Sequence, residues 1–136
     1  MIYNEEPIDA LWDMTRYLMF NQDETLKSDG IPIYKETMSE EAEDTPDSYI
    51  LLRSQISDST NTYGDGKSLI RSADCDIILV SKGYAEDTSD LHNVNKRLIR
   101  QHLKDQEVPF QEFNLGYDES LNSTQHTFTT TVYYYG

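Results

Sequence analysis

The closing stretch Gln125-His126-Thr127-Phe128-Thr129-Thr130-Thr131-Val132-Tyr133-Tyr134-Tyr135 decides how the rest of the chain is read. Side chains alternate across a strand with period two. His126, Phe128, Thr130, Val132 and Tyr134 therefore share one face, and Thr127, Thr129, Thr131, Tyr133 and Tyr135 the other. With aromatic rings on both sides, the strand is expected to bury something on each face. Immediately upstream, residues 116–123 form a turn and residues 108–115 a short strand, with Pro109 at its start where a missing N–H is tolerated. Residues 91–103 read as an amphipathic helix with the apolar stripe Leu91, Val94, Leu98, Ile99 and Leu103, preceded by several possible N-caps in residues 87–90.

Further out, residues 69–80 form a long strand after which Gly83 breaks the chain, with Ala73, Cys75, Ile77 and Leu79 opposite Asp74, Asp76, Ile78 and Val80. Residues 49–56 form another, with Ile50, Leu52, Ser54 and Ile56 as the core face and Tyr49, Leu51, Arg53 and Gln55 behind it. Pro7 stands at the first turn of a helix over residues 7–21, where Ile8, Leu11, Trp12, Thr15, Leu18 and Met19 fall at helical spacing. Residues 31–34 are a strand or an extended arm. The acidic stretch 36–47, without a basic residue, and the polar stretch 57–67 read as flexible loops. Strand pairs flanked by helices predict a single α+β domain, a mostly antiparallel β-sheet packed by two α-helices.

A chain of 136 residues is long enough for one real core. Leu, Ile, Val and Phe only slightly exceed the ~20% below which highly charged chains tend to stay disordered. Ten tyrosines add apolar area, so the core is expected to be thin. The formal charge of −14 argues against attraction to DNA, RNA or anionic lipid, which depends on Lys and Arg neutralising phosphates. One cysteine, Cys75, cannot form an internal disulfide, and a reducing compartment follows as the simplest reading. No apolar run approaches the ~20 residues of a membrane span, and Met1 leads into acidic residues, so neither a membrane anchor nor a secretory leader is expected.

Motifs of chemistry are weak. Gly64-Asp65-Gly66-Lys67-Ser68 resembles the end of a phosphate loop, but position 61 is Asn61 and a strand follows instead of a helix. Asp74 and Asp76 share a strand face, as carboxylates that hold a divalent cation do, yet no third ligand converges on them; a polar edge lining solvent or a pore is the better reading. His92, His102 and His126 lack metal-ligand spacing, and no Gly-x-Ser-x-Gly elbow is present. Lys96, Arg97, Arg100 and Lys104 gather on one helix face. Solvation beside the helix C-terminal dipole explains them, but so does a contact with an acidic surface of a neighbouring copy. Such a heterologous contact, repeated, closes into a ring.

Several stretches together resemble the tail terminator, or tail-completion (tail-to-head joining), proteins of long-tailed bacteriophages. They are the N-terminal helix over residues 8–20, then Asp47-Ser48-Tyr49-Ile50-Leu51-Leu52-Arg53, then Ala73-Asp74-Cys75-Asp76-Ile77-Ile78-Leu79-Val80 after a polar loop. The helix over residues 94–103, the turn Gly116-Tyr117-Asp118-Glu119 and the strand over residues 126–135 complete the layout. The resemblance implies a non-enzymatic virion protein without metal or cofactor, assembled in the host cytoplasm. Its subunits would form a hexameric ring that caps the tail tube protein, meets the head-completion or connector protein, and lets DNA pass. An acidic lumen would suit that passage by not attracting phosphates. On this reading Arg53, Lys96, Arg97, Arg100 and Lys104 oppose Glu40, Glu41, Glu43 and Asp44 between subunits, with Asp74 and Asp76 at the lumen or an interface. Two other functions fit fewer residues: an acidic inhibitor mimicking DNA, from the charge, and a metal-dependent nuclease, from Asp74 and Asp76.

Overall fold

A computed structural model describes residues 2–4, 6–23, 25–27, 30–35, 48–56, 70–82, 89–119 and 122–135. Its elements are β1 (Ile2–Tyr3), α1 (Pro7–Met19), β2 (Ile33–Lys35), β3 (Ser48–Ile56), β4 (Ile70–Lys82), α2 (Ser89–Asp105), β5 (Gln111–Asp118) and β6 (Ser123–Tyr135). They form one α+β domain in which a mostly antiparallel sheet carries two helices on one face. The sheet runs β1-β6-β4-β3-β2, with β5 also paired to β6.

Its spine is the β4–β6 pair, in continuous antiparallel register from Ile70↔Tyr135 to Lys82↔Ser123. β4 occupies one edge of β6 along its whole length, so β5 and β1 share the other. β5 takes Ser123 to Thr129 and β1 takes Tyr133 and Tyr134, the latter in parallel. The other parallel pair is β2 with β3 (Ile33↔Ile50), which turns the ambiguous segment at residues 31–34 into an edge strand. Consecutive parallel strands need a crossover of roughly a dozen residues or more. The connection here, residues 36–47, lies outside the described residues, as does the stretch 57–69 that joins β3 to β4.

One face of the sheet makes the core. Ile50, Leu52, Ala73, Cys75, Ile77, Leu79, Phe128, Val132 and Tyr134 meet Ala10, Leu11, Met14 and Met19 of α1 and Ile99 and Leu103 of α2. α1 begins as expected, with Pro7 in its first turn and the Glu6 carbonyl accepting from the Asp9 and Ala10 amides. It stops at Phe20, whose backbone is extended. The Cys75 thiol lies in the core, where burial first and the Asp76 and Asp74 charges second push its pKa up to about 12, so it stays protonated.

Two expectations change. The expected stripe of α2 is rotated: His92, Asn95, Ile99 and Leu103 are buried, while Val94 and Leu98 are 49% and 45% exposed. One of these polar side chains, His92, meets the buried Ser81 hydroxyl near the end of β4 at 2.7 Å. The final strand is also asymmetric. Both faces bury something, Phe128 and Val132 on the core side and Thr127 on the other, but Tyr133 and Tyr135 of that second face are exposed, where no helix among the described residues covers them.

α2 ends in a Schellman motif: the Val108 amide donates to the Leu103 carbonyl and the Glu107 amide to the Lys104 carbonyl. That geometry puts Glu107 in the left-handed region (φ 56), where glycine is the usual residue. Glu107→Gly is expected to raise stability by about 1 kcal/mol, measured as an upward shift of the urea midpoint with unchanged slope. A midpoint that falls would mean the left-handed turn carries no such cost.

Candidate functional site

Three arrangements of polar and exposed side chains stand out. The first crosses the helix-free face. Register aligns Arg53 of β3, Asp76 of β4 and Thr129 of β6 in one row, and Asp74 with Thr131 in the next. Asp76 is almost buried and its carboxylate is fully engaged. Arg53 donates to Oδ2 from Nη2 at 2.7 Å and Nε at 3.2 Å, and the Thr129 hydroxyl donates to Oδ1 at 2.8 Å. The Thr131 hydroxyl reaches Asp74 Oδ1 at 3.2 Å. The two aspartates thus belong to a cross-strand ladder that rigidifies the sheet. Among the described residues no group of three His, Cys, Asp or Glu side chains is placed to hold a metal. A groove of about 1100 Å³ opens beside Asp74, where the edge of β6 lies between β5 and β1; Tyr3, Phe110 and Tyr133 line it with Asp13 and Glu107.

The second arrangement locks α2 and β5 to the sheet. Arg100 grips Glu112 with a two-point fork, Nε to Oε2 at 2.8 Å and Nη2 to Oε1 at 2.7 Å. His126 Nε2 meets the same Oε1 at 2.9 Å. The Arg100 hydrogen bonds, ahead of the His126 one, hold the Glu112 pKa down at about 2. Burial lowers the His126 pKa more than Glu112 raises it, so at neutral pH the ring is uncharged. A carboxylate only accepts, so Nε2 carries the proton and Nδ1 is left as a buried acceptor without a partner among the described residues. Asn95, 1% exposed, likewise leaves both amide atoms unpartnered among the described residues. His92, buried against Ser81, has its pKa lowered by desolvation and then by Lys96 and His126. Ser81 and His92 are both buried.

The third is the outer face of α2. Val94, Arg97, Leu98, Arg100, Gln101 and Lys104 line a shallow groove of about 570 Å³. Arg100 is held by Glu112, and Arg53 by Asp76, so both are used within the subunit. Lys96, Arg97 and Lys104 make no ion pair among the described residues. Glu40, Glu41, Glu43 and Asp44 lie outside those residues, as does the Gly64–Ser68 motif.

Sequence reasoning missed Glu112 and the exposed pair Val94 and Leu98. No local signal gives Glu112: counting back from the turn sets it opposite Thr129, and only the bulge at Leu115 moves it opposite Phe128, on the core face, where a carboxylate needs a cation. Comparison of the chain with models of known protein families and with curated proteins finds no match. No helix among the described residues is long and apolar enough to cross a membrane.

Proposed function

We propose that this protein is a structural subunit that assembles into a ring, the ring that terminates a long-tailed phage tail tube and joins it to the head connector, leaving a channel for DNA. One observation carries the reading: a chain of net charge −14 places Arg97 and Lys104, which make no ion pair among the described residues, beside exposed Val94 and Leu98 on the outer face of α2. Like copies of so acidic a chain repel one another over most of their surface. Association is favoured where a cationic face meets an acidic one. The order of elements supports the same role, since the helix, the central strand pair and the closing hairpin follow the layout of tail terminators. Asp74 and Asp76, tied into their ladder, then serve as a fixed acidic surface toward the channel or a neighbour.

The test is the mass of the purified protein by light scattering, alone and mixed with a tail-tube protein, at low and moderate salt. A ring-sized or tube-bound species that weakens as salt rises is expected, since exposed charge contacts are screened over about 10 Å at 0.1 M salt. A monomer that ignores the tube would overturn the reading and put the acidic inhibitor first.

A further inference from the structure

Two exposed apolar patches carry opposite charge. On α2, Val94 and Leu98 are 49% and 45% exposed and are flanked by Arg97 and Lys104. On β5, Phe113 and Leu115 are 48% and 60% exposed, and the strand runs out into exposed Asp118 and Glu119. Phe113 stands opposite Thr127, on the helix-free face, and Leu115 sits in the bulge between Asn114 and Gly116, where the extra residue bends the strand and turns its side chain outward. Neither patch joins the core, and each has the make-up of half an interface: apolar centre, charged rim.

We infer that the α2 groove of one copy receives the β5 patch of a second copy. Apolar centres meet, and the cationic rim of the first faces the acidic rim of the other. The two patches are different surfaces of the same chain, so the contact is heterologous, and heterologous contacts propagate into a closed ring or an open filament instead of stopping at a dimer. The fork between Arg100 and Glu112 ties α2 to β5 within each subunit, which fixes the angle between the giving and the receiving patch. This inference rests on the ring reading and names its contact.

A complementation experiment tests it. One variant, Val94→Gln with Leu98→Gln, loses the receiving patch; another, Phe113→Thr with Leu115→Thr, loses the giving patch. All four side chains are exposed, and circular dichroism melts confirm that the variants fold; Arg97→Glu serves as a second receiving-side variant. Native mass spectrometry is expected to show assemblies for the unaltered chain, monomers for each variant alone, and a one-to-one heterodimer when the two variants are mixed, since each then retains one intact half. Assembly by the variants alone, or monomers in the mixture, would overturn the inference while the ring reading stands. An unaltered chain that remains monomeric at every concentration and with the tube protein would overturn both.

Discussion

Phe128→Ala is expected to destabilise the domain by about 3–5 kcal/mol, the range for truncating a fully buried phenylalanine. Phe128 has no exposed surface and lies on β6 between β4 and β5, opposite Ile77 on one side and Glu112 on the other. Its ring contacts Phe110 at 6.0 Å and His126 at 5.0 Å between centroids, so truncation removes packing from the spine strand, from the segment entering β5 and from the polar cluster at once. The surroundings are held by strand pairing on both edges and relax poorly into the cavity. Total stability of a domain is about 5–15 kcal/mol, so the loss is a large fraction of it. Urea unfolding monitored by circular dichroism checks this; a loss under about 1 kcal/mol would show that β6 is not the packing centre.

Acid is expected to remove stability over two pH windows, and Glu112→Gln to remove the lower one. His92 and His126 both have folded pKa values below the ordinary 6.5, so the unfolded chain takes up the proton first as pH falls. Their contribution is complete above about pH 6.5 and declines below it. Around them stand Lys96, Arg100 and Glu112; the two cations deepen the shift and the carboxylate opposes it. Glu112, at about 2 against an ordinary 4.5, contributes stability that is full above pH 4.5 and is lost as pH falls toward 2. The carboxylate is partly solvated, which leaves an effect of about 1–2 kcal/mol after screening. The difference between the stability–pH curves of the unaltered chain and Glu112→Gln should therefore shrink between pH 4.5 and 2. A constant difference across that interval would mean the Arg100 fork does not depress the Glu112 pKa.

Strand alternation was legible from the chain because period two leaves a direct record. The faces assigned to residues 49–54, 71–80 and 125–135 are the faces observed, and the core rows Ile50/Leu52, Ala73/Cys75/Ile77/Leu79 and Phe128/Val132 follow from them. The α+β architecture follows in turn. The helix was less legible. Leu, Val and Ile in α2 suggested one stripe, yet the buried stripe includes His92 and Asn95, since burial of a helix depends on what the sheet presents to it. That dependence is a tertiary fact: His92 meets the Ser81 hydroxyl and Arg100 the Glu112 carboxylate, while Val94 and Leu98 face outward.

The chain by itself determined the long strands β3, β4 and β6, which of their faces is apolar, and where charge accumulates, because these are properties of neighbours in sequence; the short strands β1 and β2 were settled only by pairing. Only the tertiary structure decided that Asp74 and Asp76 are spent on Thr131, Thr129 and Arg53, that Arg100 is spent on Glu112, and that Val94 and Leu98 face outward. Those outcomes depend on pairing register and on helix rotation, which bring together residues far apart in the chain, and no local pattern records them.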